Sequence, residues 1–315
     1  MTMRLTREWP GLITLALLYI FLAFSAPQFY GSENLRDLAM ANVPVLLVAA
    51  GMTLVITIAE IDISVGSVFG ICAVICGALA KLGMPIILLP IAALAAGSLM
   101  GAANGALVSF VKAPSIVVTL ATMVAGREAL SWITGGAWLE GLPANFQWFG
   151  LGQQVGQAMI IALTLILFAG LWWASQRIWA FRAVYATGSD AEAARLAGIS
   201  TRSVKFWVFV LMGALTGIAS LLNAVRFSDV PANGGINLEL KTIAAVVVGG
   251  TSITGGRGSL PGTLIGVLLL GSIEPALTFL GINPYWEKAI QGALILGTVL
   301  VDALNARREK RMVLA

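Results

Sequence analysis

The chain has 315 residues, 58% apolar and 11% charged, with a mean hydropathy of +0.92 and a formal net charge of +4. Soluble domains run at about 45–50% apolar and about 25% charged, so the polar surface here is too small to cover a water-facing core. A soluble enzyme, a DNA-binding module and a disordered chain are excluded, and nucleic acid is no partner. The sequence contains no histidine, which removes His-based zinc sites, Ser-His-Asp and Cys-His catalysis and histidine proton relays.

A membrane-spanning helix needs about 20 mostly apolar residues. Ten stretches are candidates: Pro10–Ala26, Val43–Ile58, Ile63–Ala80, Pro85–Ser109, Ser115–Thr134, Gln157–Ser175, Lys205–Asn223, Leu240–Ile253, Leu260–Leu280 and Tyr285–Leu304. The second and eighth are short and broken by glycine. Arg4 and Arg7 precede the first stretch in the manner of a signal peptide, but with many spans following it reads as an uncleaved helix. With the N-terminus inside, 13 basic residues fall on inner segments and 5 on outer loops, Arg127 lying within a span. The positive-inside rule then predicts both termini in the cytoplasm. The expected fold is an all-α polytopic membrane protein, one transmembrane domain over residues 1–315, with a long inner loop at 176–204 and a tail at 305–315.

In chain order, Ala49–Ser67 and Ala244–Ser259 each run from Ala-Ala through an apolar stretch to a polar break and a Gly-Ser pair. Paired interrupted helices of this kind occur near transporter substrate sites, and a Gly/Ala-rich chain also produces such similarity by chance. Ile61-Asp-Ile-Ser-Val-Gly-Ser67 reads as a helix start at a hairpin on the inner surface. There Asp62 or Ser64 caps free N–H groups and Gly66 and Ser67 allow close packing, with direct contact to substrate as the competing reading. Cys72 and Cys76 stand at i and i+4 in an apolar run, as small packing residues on one helix face. Gly97-Ser-Leu-Met-Gly101-Ala-Ala-Asn-Gly105 is small-residue spacing for helix contact.

Arg127 and Glu128 lie about 18–20 Å along the fifth span, and Glu274 about 21 Å along the ninth. Facing lipid would cost each at least about 2.5–3.5 kcal/mol, so they are expected to face the interior, a partner or water. Two readings stand. Either they line a polar path for a neutral solute, or Arg127 pairs with Glu274, or with the surroundings of Glu128, to hold two helices together; Asn104 and Asn223 fit either scheme. The outer loop Thr134–Pro143 carries Trp138 and Glu140, suited to stacking on a sugar ring or to receiving a binding protein; a tryptophan there also belongs to the ordinary interfacial belt.

Within the 176–204 loop, Ser189 or Asp190 is a good N-cap, Glu192 sits in the first turn, Arg195 and Leu196 late, and Gly198 is a natural left-handed stop. This predicts a helix of about eight residues, roughly 12 Å long, too short to stand alone. It is either a rod for a partner's groove or a connector on the membrane surface. Val248–Gly262, with Gly255, Gly256, Arg257 and Gly258, carries a glycine pattern that superficially suggests a phosphate loop. No strand precedes it, and a broken hairpin at the inner face fits better. No G-x-x-x-x-G-K-[ST] sequence occurs, so energy for uphill transport would come from a partner or an ion gradient. Arg307–Arg311 reads as an anchor in an anionic leaflet.

The 185–200 loop, the Ile61–Ser67 string and the Val248–Gly262 string together resemble bacterial ABC importer permeases of the ribose, autoinducer-2 and rhamnose group, over nearly the whole chain. Glu60 departs from that pattern, which has glycine there. The resemblance implies a coupling helix at Asp190–Gly198 that docks into a cytoplasmic ATP-binding subunit, a second permease subunit, and a periplasmic sugar-binding protein at the outer loops. It also implies the bacterial inner membrane as location and no cofactor in this chain, ATP and magnesium belonging to the partner. The outer loop and Asn283-Pro-Tyr-Trp-Glu look closest to the autoinducer-2 and rhamnose branches. Two other readings compete. An ion-coupled carrier would use Glu128 and Glu274 and would not need the loop helix; an intramembrane aspartyl enzyme would need carboxylates such as Asp62 and Asp302 to converge.

Overall fold

The computed structural model describes residues 8–297 and residue 300. Eleven helices run α1 Trp9–Ser25, α2 Ser32–Thr57, α3 Val65–Lys81, α4 Leu89–Ser109, α5 Ser115–Thr134, α6 Gln153–Arg177, α7 Trp179–Ser189, α8 Ala191–Leu196, α9 Thr201–Ala224, α10 Leu238–Val248 and α11 Leu260–Phe279, with a further helical stretch at 286–297. Among the described residues there is no strand, only an isolated antiparallel bridge between Leu139 and Val230. Six helical stretches there are long and apolar enough to cross a membrane: Ser32–Thr57, Ile86–Ser109, Ser115–Thr134, Gln153–Arg177, Thr201–Ala224 and Leu260–Phe279. Trp9–Ser25 and Val65–Lys81 are shorter apolar helices.

Some boundaries differ from the sequence reading for physical reasons. Helix α2 starts at Ser32, well before Val43, because Glu33, Asn34, Arg36 and Asp37 are tolerated in a helix though not in a hydropathy window; Glu33 also sits in the favourable first turn. Helix α10 has 11 residues, about 16 Å, and ends where Gly249 and Gly250 turn the chain, so Leu240–Ile253 is not one continuous helix. The ends of the chain that carry Arg4, Arg7, Asp302 and the 305–315 tail lie outside the described residues.

Helix α2 is the centre of the bundle. Nearly every residue from Asn42 to Thr57 is buried, and it packs on α9, α11, α10 and α6. A helix apolar on all sides belongs in such a place. Its threonines return their hydroxyls to their own backbone, Thr53 to Ala49 and Thr57 to Thr53, while Thr53 Oγ1 also meets Thr263 Oγ1 of α11 at 2.6 Å.

Helices α4 and α9 touch backbone to backbone. A Cβ at Gly97 would strike the Gly213 carbonyl, one at Gly213 the Gly97 carbonyl, one at Gly217 the Ala93 carbonyl and one at Gly101 the Phe209 carbonyl. The Gly97–Gly101–Gly105 stripe therefore packs inside the chain, against Gly213-x-x-x-Gly217. With lipid on the outside, close van der Waals contact of this kind replaces the hydrophobic drive that holds soluble helices together.

Two helices begin inside the bundle. Residues 58–64, expected as a surface hairpin, instead climb beside α5. Ile61 N–H donates to Ser115 Oγ at 3.2 Å, Thr119 Oγ1 donates to the Ile61 carbonyl at 3.4 Å, and Ser67 Oγ packs on Gly126. Gly126 is about 16 Å along α5 from Ser115, so α3 starts deep. Residues 225–237 descend likewise from the Leu139–Val230 bridge, and α10 begins beside the start of α3, with Gly66 against both Gly235 and Glu239.

Candidate functional site

At one end of the bundle the three sequence motifs converge. The rod expected over Asp190–Gly198 is helix α8, which meets α7 at an elbow. Ser189 closes α7, its Oγ donating to the Tyr185 carbonyl at 2.9 Å. Asp190 is extended and caps α8, its Oδ1 accepting from Glu192 N–H at 2.9 Å and Ala193 N–H at 3.0 Å. Helix α8 is six residues long, shorter than predicted. Arg195 clasps Glu192 with bonds of 3.0 and 2.5 Å, and its guanidinium holds the Glu192 carboxyl below its usual range. Gly198, at φ 83°, turns the chain into α9 through the left-handed region. Leu196 is 76% exposed at the tip.

The elbow is braced from below. Gly188 lies flush on the Thr57 carbonyl at the end of α2, where any side chain would collide. The glycine-rich segment forms the bracket: Gly256 N–H donates to the Thr57 carbonyl at 2.8 Å, Tyr185 Oη donates to the Gly258 carbonyl at 3.1 Å, and the Arg257 carbonyl accepts from Ser252 N–H at 3.0 Å. Gly255 and Gly256 adopt φ of 84° and 73° to make the turn, and Gly255 packs on Ala59. What precedes this segment is a helix, α10, so the strand that a dinucleotide-type loop requires is missing. The breaks in the two similar strings, 58–64 and 249–259, thus lie against each other. Glu60 forms an ion pair with Lys205 at the start of α9, which gives the departure at this position a partner.

Deeper in the bundle, Asp62 and Ser64 are 3% and 0% exposed. Asp62 Oδ1 accepts from Ser64 N–H at 2.9 Å and Ser64 Oγ at 2.6 Å. Ser64 Oγ accepts from Asn104 Nδ2 at 2.8 Å, and Asn104 Oδ1 accepts from Thr122 Oγ1 at 2.7 Å. This chain of bonds ties the break before α3 to α4 and α5, with Asn104 only 1% exposed. Asn104→Ala would remove the bridge between Ser64 and Thr122, which keep their own bonds to Asp62 and the Val118 carbonyl; the two bonds lost are expected to cost about 0.5–1.5 kcal/mol each, read as a lower melting temperature of the purified protein in detergent.

Arg127 does not pair with Glu274. It donates to the carbonyls of Gly234 and Gly235, at 2.9 and 3.4 Å, and so fixes the descending segment. Glu239, in the first turn of α10, is 9% exposed, and its Oε2 lies buried near Arg127 with no hydrogen-bond partner among the described residues. No local pattern in the sequence singled it out. Glu128 is exposed on the outside of this chain. Asn223 Oδ1 accepts from Arg226 at 3.3 Å, and Arg226 also holds the Met40 carbonyl at 2.9 Å. Glu274 is exposed on α11, at the edge of a cavity that Lys241 also lines; Lys241, one of the five basic residues assigned to outer loops from the sequence, belongs to α10. At the far end, Lys81 Nζ donates to the Glu140 carbonyl at 3.0 Å and Trp138 is 58% exposed. Cys72 and Cys76 are wholly buried on α3.

A multi-pass helical bundle, with helices that start inside it, buried polar links between them and a braced helix at one end, has the architecture of a membrane transport permease. The chain belongs to the family described as branched-chain amino acid transport system / permease component, whose profile matches residues 34–299. It is 34% identical over 311 residues to the autoinducer 2 import system permease protein LsrC of Escherichia coli O157:H7, covering 96% of this chain and 91% of that protein. The corresponding proteins of Shigella flexneri and Salmonella typhi are 34% and 33% identical, each over 96% of this chain. No solved structure matches. A transport permease is not an enzyme, and this one is a multi-pass membrane protein.

Proposed function

We propose that the chain is the membrane-spanning subunit of an ATP-driven, binding-protein-dependent importer of a small sugar or sugar-like solute such as autoinducer-2, rhamnose or ribose, in a bacterial inner membrane. The observation that carries this is α8: a side-chain-capped helix with an exposed tip, braced by the end of α2 and the 252–258 bracket. That is a built docking element and more than a connector needs. Its partner is an ATP-binding subunit, where ATP and magnesium act, since the chain has no phosphate loop of its own. Ten crossings with both termini inside put α8 in the cytoplasm and Trp138 and Glu140 on the outer side, where a sugar-binding protein would deliver solute. A second permease subunit, identical or related, completes the path. The exposed Glu128 and Glu274 are available to that subunit or to the solute, whereas Asn104 and Arg127 serve the chain's own interior.

The test is uptake of radiolabelled autoinducer-2, L-rhamnose and D-ribose into vesicles holding this chain with and without the ATP-binding subunit, ATP and the binding protein. Uptake that needs all three supports the reading and selects the solute. Uptake by the chain alone, abolished by an ionophore, sinks it in favour of an ion-coupled carrier.

A further inference from the structure

Between α2, α10, α11 and the 286–297 helix lies a cavity of about 70 Å³ lined by Asn42, Lys241, Gly271, Glu274, Glu287 and Gln291. Glu274 is about 21 Å along α11, and Asn42 is about 22 Å along α2 from Thr57, so the cavity sits well within the depth of the spans. The geometry points to a solute subsite here, one that takes a pair of hydroxyls of an uncharged sugar-like molecule and rejects anionic ones. The inference rests on the importer reading and deepens it.

Three observations carry it. First, Lys241 and Glu287 already neutralise one another at 3.2 Å, with Gln291 Nε2 donating to Glu287 Oε1 at 2.6 Å. Glu274 is thus surplus to the ion pair, and its carboxylate has no partner among the described residues. A carboxylate left uncompensated at this depth is costly, and such groups mark solute or ion pathways. Second, Asn42, 7% exposed, donates its Nδ2 to the Leu38 carbonyl at 2.8 Å, while the rest of its amide lies hard against Gly271. Among the described residues no donor is hydrogen-bonded to Asn42 Oδ1, which is a second uncommitted acceptor at the cavity wall. Third, the acceptors Asn42 and Glu274 line the same cavity as the Gln291 amide and the Lys241 ammonium. That mixture suits hydroxyls, each of which donates and accepts. Liquid water takes about 30 Å³ per molecule, so the cavity holds about two waters or the diol end of a solute, with the remainder in the path. One lysine against two carboxylates leaves the wall net negative, which disfavours a phosphorylated solute.

The experiment is vesicle uptake with the full set of partners, giving KM for labelled autoinducer-2, D-ribose and L-rhamnose and for their mono-deoxy analogues. Wild type is expected to disfavour one deoxy analogue by at least about tenfold, the worth of a hydrogen bond to a charged acceptor. Glu274→Gln is expected to raise KM for the parent solute about tenfold and to narrow the parent-to-deoxy ratio to within about twofold, a change that loss of packing alone does not produce. Glu274→Gln with the wild-type ratio overturns the subsite. If that variant fails to assemble, Gln291→Leu, which spares the Lys241–Glu287 pair, gives the same two outcomes. Import of none of the three solutes by wild type overturns the importer reading instead.

Discussion

Gly213→Val is expected to abolish the folded protein. The Cβ it adds would strike the Gly97 carbonyl oxygen and lie 3.0 Å from Gly101 Cα. Backbone cannot step aside as a flexible side chain can, so relief requires α4 and α9 to separate. Ordinary overpacking costs about 1–3 kcal/mol; a clash that parts a helix pair packed backbone to backbone is expected to exceed about 4 kcal/mol, at the extreme of single-site effects. The measurement is yield and melting temperature after size exclusion in detergent. Gly170→Val is the control, on α6 where nothing lies within 4 Å, and is expected to change stability by less than about 0.5 kcal/mol.

The second large effect falls on transport. Asp190→Lys removes the carboxylate that accepts from Glu192 and Ala193 and sets a positive charge at a helix N-terminus, against the dipole. Adding Arg195→Glu turns the clasp on Glu192 into repulsion. Because Asp190, Glu192 and Arg195 are all exposed, the melting temperature is expected to move by no more than about 2 °C. Partner-driven uptake is expected to fall at least about tenfold, toward background, because a six-residue helix has no propensity reserve once its cap is gone. A double variant that folds and transports at the wild-type rate would refute the coupling role of α8.

What the sequence revealed and what it hid follow from the range of the forces involved. Capping is local, so Asp190 and Gly198 were readable from a dozen residues, as was the incongruity of Glu274 in an apolar stretch. The start of α3 was half readable. The Asp62–Ser67 string announces a helix N-terminus, but its depth is set by Ser115, Thr119 and Asn104, which lie 40 to 58 residues along the chain from the groups they bond. The early start of α2 was hidden because hydropathy scores the cost of charge in lipid and says nothing of a helix that continues past it. Glu239 and Lys241 looked like the polar flank of a short span. Only the meeting of α3, α5 and α10 sets the first beside Arg127, and only the 286–297 helix gives the second its carboxylate. The glycine stripe of α4 was legible as a contact surface, whereas its partner on α9 was settled by tertiary packing alone.

The backbone contact between α4 and α9 also fixes how displacement travels. Two helices interlocked without intervening side chains have no rotamers to absorb a shift, so they move as a single stiff plate. Helix α9 leaves the α8 elbow after only a short turn, and at 24 residues it is about 36 Å long. A rotation of about 5° imposed at the elbow therefore sweeps the opposite edge of the plate through about 3 Å, roughly the width of a water molecule. The glycines make this pair a lever with little play, and a push at α8 reaches the far side of the bundle at nearly full amplitude.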